Sequence, residues 1–86
     1  MKVVLEDGFA LDIDDKKLDD YELMEALTDI DKGKTGRITD AVDILLGEEK
    51  KHLFDHIREE KGYVSMEAVQ NALLGVITGL KNGKNS

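Results

Sequence analysis

Eighty-six residues, 41% of them apolar, suffice for one small globular domain whose core supplies only a few kcal/mol of net stability. The chain has no cysteine, which excludes a disulfide scaffold and thiolate metal ligation, and no apolar run nears the roughly 20 residues of a membrane-spanning helix. Eleven acids against three lysines give residues 1–31 a charge of −8, while the rest carries +1, for a net of −7. Such a balance repels phosphate backbones, so neither nucleic acid nor membrane is expected as a partner.

In chain order, Val3, Val4 and Leu5 precede Glu6-Asp7-Gly8, after which Phe9, Leu11 and Ile13 alternate with Ala10, Asp12 and Asp14. Asp-Gly between two short β-prone runs predicts a hairpin with Phe9, Leu11 and Ile13 on one face. A lone hairpin is marginal in water, so that face must lie on helices. The N-terminus, MKVVLEDG, turns acidic too soon for a signal peptide, and a cytoplasmic location is expected.

Asp19, with Glu22 three residues on, reads as the N-cap of a first helix from about Asp19 to Ile30. Its inward stripe is Leu23, Leu27 and Ile30, with Met24 and Tyr21 alongside. Asp19, Asp20, Glu22 and Glu25 form a candidate acidic face. After the polar loop DKGKTGR, Thr39 or Asp40 caps a second helix over Asp40 to Leu46, with Val42, Leu45 and Leu46 inward. A third runs from Glu48 and Glu49 to about Glu60 on Leu53, Phe54 and Ile57, and Gly62 ends it. Ile38 and Val64, each between a glycine and a hydroxyl cap, invite pairing across a short two-stranded bridge.

Ser65 caps the fourth helix, Ser65 to Leu80. Met66, Val69, Leu73, Val76 and Leu80 follow a 3-4-3-4 spacing, the seam of a helix packed along its length. Leu74 and Ile77 widen the apolar side beyond what three short helices and a hairpin can cover. Val69, Leu73, Leu74, Val76, Ile77 and Leu80 are therefore candidate partner-binding residues. Gly75 and Gly79 mark a flat stripe that accommodates a neighbour's side chain within the monomer. Residues 82–86 read as a disordered polar tail. The expected fold is α+β, mostly α, with an N-terminal β-hairpin packed on about four short helices in a single domain over residues 1–81.

Sites for chemistry are few. Counted from Asp31, the loop places Gly36 and Ile38 as an EF-hand does, but Gly33, Thr35 and Val42 fall where carboxylates belong. Counted from Asp29, Asp31 and Asp40 fit, while Lys34 takes the glycine position. His52 and His56 stand four apart on the third helix, a spacing that can chelate zinc, yet a third ligand is missing. They are expected in solvent beside their carboxylates. Ser65 and Ser86 are the only serines and no glycine-rich phosphate loop occurs, so no enzyme activity, catalytic residue, metal site or cofactor is expected.

The order of motifs carries a resemblance. Val3-x-Leu5-x-Asp7-Gly8-Phe9 and Ile13-Asp14 come first, then Leu18-Asp19-Asp20-Tyr21-Glu22-Leu23-Met24-Glu25-Ala26-Leu27 with Ile30-Asp31. Leu45-Leu46-Gly47-Glu48-Glu49, Leu53-x-x-His56-x-Arg58 and Gly62-x-Val64-x-x-Glu67-Ala68-Val69 follow. From Val3 to about Lys81, this resembles the small acidic tail assembly chaperones of long-tailed phages and prophages of Gram-positive bacteria. The resemblance implies a non-enzymatic protein that shields the tape-measure protein before tail-tube subunits polymerise around it. Its implied partners are the tape-measure protein, the tail-tube protein and further copies of itself. Two other readings stay open: a helix-binding adaptor with a degenerate EF-hand-like loop, and an acidic inhibitor that mimics DNA.

Overall fold

The computed structural model describes residues 1–84. Two strands, β1 (Lys2–Val4) and β2 (Ala10–Asp12), pair antiparallel with Val3 opposite Leu11, and both of these side chains are buried. Gly8 takes φ 90° at the turn between them, where the Asp7 carboxylate accepts from the Phe9 amide at 3.0 Å. Leu11 and Ile13 are buried and Phe9 is half-buried, so the hairpin's apolar face points inward as the alternation predicts.

A 3-10 helix, Asp15–Asp19, leads into α1 (Tyr21–Asp31). The cap is Asp20 rather than Asp19: its side chain accepts from the Leu23 amide at 3.2 Å. The 3-10 turn takes up Asp19 and shifts the helix start by one residue. A second 3-10 turn, Thr35–Arg37, runs straight into α2 (Ile38–Leu46). Neither Thr39 nor Asp40 caps α2, because the helical path already includes them, and the Thr39 hydroxyl donates backward to the Gly36 carbonyl at 3.0 Å. The bridge expected between Ile38 and Val64 does not form. Ile38 is instead a buried residue of α2, and strand pairing among the described residues is confined to the hairpin.

α3 (Glu49–Lys61) ends as expected at Gly62, whose φ of 82° is the left-handed conformation that favours glycine. Ser65 then caps α4 (Met66–Lys84), its hydroxyl accepting from the Ala68 amide at 3.2 Å. The helix runs four residues beyond the expected Leu80. The segment expected as a polar tail is thus helical through Lys84, and Asn85 and Ser86 lie outside the described residues. At 19 residues α4 is about 28 Å long, close to the molecule's longest extent of 33 Å.

What carries α4 this far is its contact with β1. Gly75, Gly79 and Gly83 repeat every four residues, and their open faces meet Leu5, Val3 and Met1 in that order. A Cβ at Gly79 would lie 2.7 Å from a Val3 methyl, one at Gly75 3.1 Å from a Leu5 methyl, and one at Gly83 would overlap Met1. The two periods match: four helical residues advance about 6.0 Å and two strand residues about 6.7 Å. Strand side chains therefore drop into successive glycine notches, the two chains running in opposite directions.

The core lies where these elements meet. Leu11, Ile13, Leu23, Leu45, Leu53, Val76 and Leu80 are its largest fully buried side chains. α1 packs on α2, and α4 packs on β1, α3 and the first 3-10 helix. The architecture is α+β and mostly α, a two-stranded hairpin against four helices. No helix of the described residues is long and apolar enough to cross a membrane.

Candidate functional site

Since α1 rests on α2 while α4 rests on β1 and α3, a groove of about 420 Å³ opens between α1 and α4. One wall carries Met24, Leu27 and Ile30 of α1, and the other Leu73, Leu74 and Ile77 of α4. Thr28 and Asp31 continue the first wall, Gln70 the second, and Ile38 of α2 also lines it. Along each helix the lining residues follow the same step. Positions 24, 27, 28 and 31 mirror 70, 73, 74 and 77, the i, i+3, i+4, i+7 pattern of a helical packing seam. Of these lining residues Met24, Thr28, Asp31 and Leu74 are exposed.

The six partner-binding candidates divide here. Val69, Leu73, Val76 and Leu80 are buried, and Val76 and Leu80 are at 0% exposure. They are core side chains, covered by more of the chain than the sequence suggested, because the glycine notches bring the hairpin onto α4. Leu74 is 64% exposed and Ile77 half-buried. The apolar surface that α4 offers thus narrows to Leu74, Ile77 and the edge of Leu73. Sequence reasoning missed its other half: Tyr21 and Met24 were expected inward, but both are exposed, and Leu27 and Ile30 are only half-buried. The signal was present as the 24-27-28-31 step, which duplicates a seam that the buried Leu23 and Ala26 already satisfy on another side of α1.

Of the acidic-face candidates, Asp19, Glu22 and Glu25 are exposed, and Asp20 is half-buried and spent on the cap. Glu25 lies 3.9 Å from Arg37. Arg37 also binds Asp29 at 3.0 Å and Asp40 at 2.5 Å. Burial works against its charge, but Asp40 and Asp29 outweigh that and hold the guanidinium above its usual range. A guanidinium therefore occupies the centre of the acids that an EF-hand counted from Asp29 would turn on a cation. Asp31, by contrast, makes no ion pair among the described residues and faces the groove.

The two histidines part company. His52 is exposed and approaches Glu49 at 3.1 Å. His56 was expected in solvent, yet it reaches across 49 residues to the hairpin turn, where Nε2 stands 2.6 Å from an Asp7 carboxylate oxygen. Its ring stacks on Phe9 at 4.0 Å between centroids, and Glu60 approaches at 3.5 Å. The hydrogen bond from His56, with a second from the Phe9 amide, holds the Asp7 carboxyl below the usual carboxylate range. Ligand-capable atoms of Asp7, His56 and Glu60 lie within 4.8 Å of one another. They border a second depression of about 720 Å³ between β1, α3 and α4, with Gly75 and Gly79 on its lining. Leu74 lines both depressions and so stands on the ridge that separates them. No protein-family model, curated protein or solved structure matches this chain.

Proposed function

We propose that the protein is a non-enzymatic tail assembly chaperone that shields the tape-measure protein of a long-tailed phage before the tail tube polymerises. The observation that carries this reading is the apolar groove between α1 and α4. A chaperone for a long helical client needs a place for an apolar helix face, and the groove lined by seams of α1 and α4 supplies one. The acidic remainder of the surface keeps such a protein soluble while it holds an aggregation-prone client. The client proposed is the one that the resemblance from Val3 to about Lys81 implies. Binding takes place in the bacterial cytoplasm, with the tail-tube protein and further copies of the chaperone as later partners.

The same groove favours a second reading, an adaptor that binds one helical peptide as a monomer. Co-expression with tape-measure fragments separates the two. The chaperone reading expects at least one otherwise insoluble fragment to stay soluble with the wild-type protein. It is overturned if no tape-measure fragment gains solubility or co-purifies.

A further inference from the structure

We propose that the α1–α4 groove holds a single helix of a different protein, one whose apolar face runs about two turns and whose flanks carry Lys or Arg. The inference deepens the chaperone reading and rests on it only in taking the groove as the working site. Helical form follows from the walls. Met24, Leu27 and Thr28 to Asp31 on one side, and Gln70, Leu73 and Leu74 to Ile77 on the other, repeat one helical step over about 10 Å. A third helix with apolar residues at i, i+3, i+4 and i+7 sets its ridge between them, as in any three-helix packing. An extended peptide alternates sides every residue and presents no such ridge.

The choice of partner follows from charge. α1 holds four acids, Glu22, Glu25, Asp29 and Asp31, and no base. Arg37 on the loop side answers Asp29 and Glu25, and the groove-lining Asp31 has no counterion among the described residues. A basic flank laid along this wall gains attraction where an acidic one meets repulsion. A second copy of the chain is a poor occupant for the same reason. A two-fold contact through the groove would join two chains of −7 each, a pair that totals −14. A small apolar ligand is also poorly served, because the groove lies open along its outer side and cannot enclose it.

The test uses the full chain with three designed helical peptides of one apolar pattern: Lys-flanked, Glu-flanked, and Lys-flanked with the apolar residues scrambled. Binding is read by fluorescence anisotropy at low and high salt. The Lys-flanked peptide is expected to bind at least about tenfold more tightly than the Glu-flanked one at low salt, with the gap closing as salt rises. Met24→Asp and Leu74→Asp, exposed residues on opposite walls, are expected to abolish binding while circular dichroism stays unchanged. Asp31→Asn should lower affinity by about threefold, and Thr78→Asn, on the other depression, should leave it as it was. Equal binding of the Lys- and Glu-flanked peptides overturns the proposal, as does binding of the scrambled peptide or of none. So does a dimer in solution that Leu74→Asp turns to monomer. If the Lys-flanked peptide binds but tape-measure fragments do not, the chaperone reading fails and the groove assignment stands. If fragments bind Leu74→Asp as well as wild type, this assignment falls and chaperoning stands.

Discussion

Toward β1, α4 presents glycine at 75, 79 and 83; toward α1, it presents Leu74 and Ile77. On the glycine side Val3 and Leu5 seat in the notches and fill them, while Gly75 and Gly79 also border the depression toward α3. On the other side the walls stand apart, and large side chains reach into an unfilled groove. One helix thus sets its smallest residues against its own hairpin and leaves larger ones less covered. An apolar stripe read from sequence says that cover is needed; the side-chain size along each edge says where the chain provides it.

The difference between the two sides can be broken by substitution. The largest effect is expected where α4 is closed. Leu80→Ala should cost about 3 kcal/mol in urea unfolding, since Leu80 is fully buried and its loss leaves a cavity. Gly79→Val should follow at about 2 kcal/mol, because the added methyls collide with Val3. A milder Gly79→Ala pits up to about 1 kcal/mol of helix propensity against the 2.7 Å contact, and the sign of its thermal shift reports how far Val3 can give. Asp20→Ala, which removes the α1 cap, should cost about 1 kcal/mol.

A subtler effect concerns the hairpin turn. Asp7 has its carboxyl held below the usual range by His56, so its stabilising share is present above about pH 4, the unfolded carboxylate value. That share fades as pH falls through the folded value. Acid unfolding of His56→Gln should therefore begin from a lower stability and fall less steeply below about pH 4 than wild type. Equal slopes would mean that the Asp7–His56 contact contributes nothing to the acid response. The smallest stability change is expected at the open side: Leu74→Asp should stay within about 0.5 kcal/mol of wild type, since Leu74 is 64% exposed.

Local chemistry made much of this fold legible. Asp7-Gly8 marked the hairpin, Gly62 and Ser65 marked one helix end and the next start, and the apolar steps located all four helices. What stayed hidden depended on distant contacts. Nothing near Leu80 in sequence says that β1 and its neighbours cover that end of α4, so Val76 and Leu80 looked available to a partner. His56 and Asp7 are 49 residues apart and meet only because the hairpin lies against α3. Tyr21 and Met24 looked buried because a helix with two apolar sides does not declare which one its neighbours take. The candidate site is the remainder after those choices, so the sequence showed half of it, on α4, and left the α1 half unmarked.

The most direct measurement is amide chemical-shift mapping of the full chain during titration with the Lys-flanked helical peptide. The account predicts that the shifts cluster on Met24, Leu27, Asp31, Leu74 and Ile77, with little change at Val3, Gly79 and His56. Shifts centred on the hairpin and α3, or spread evenly over the chain, would contradict it.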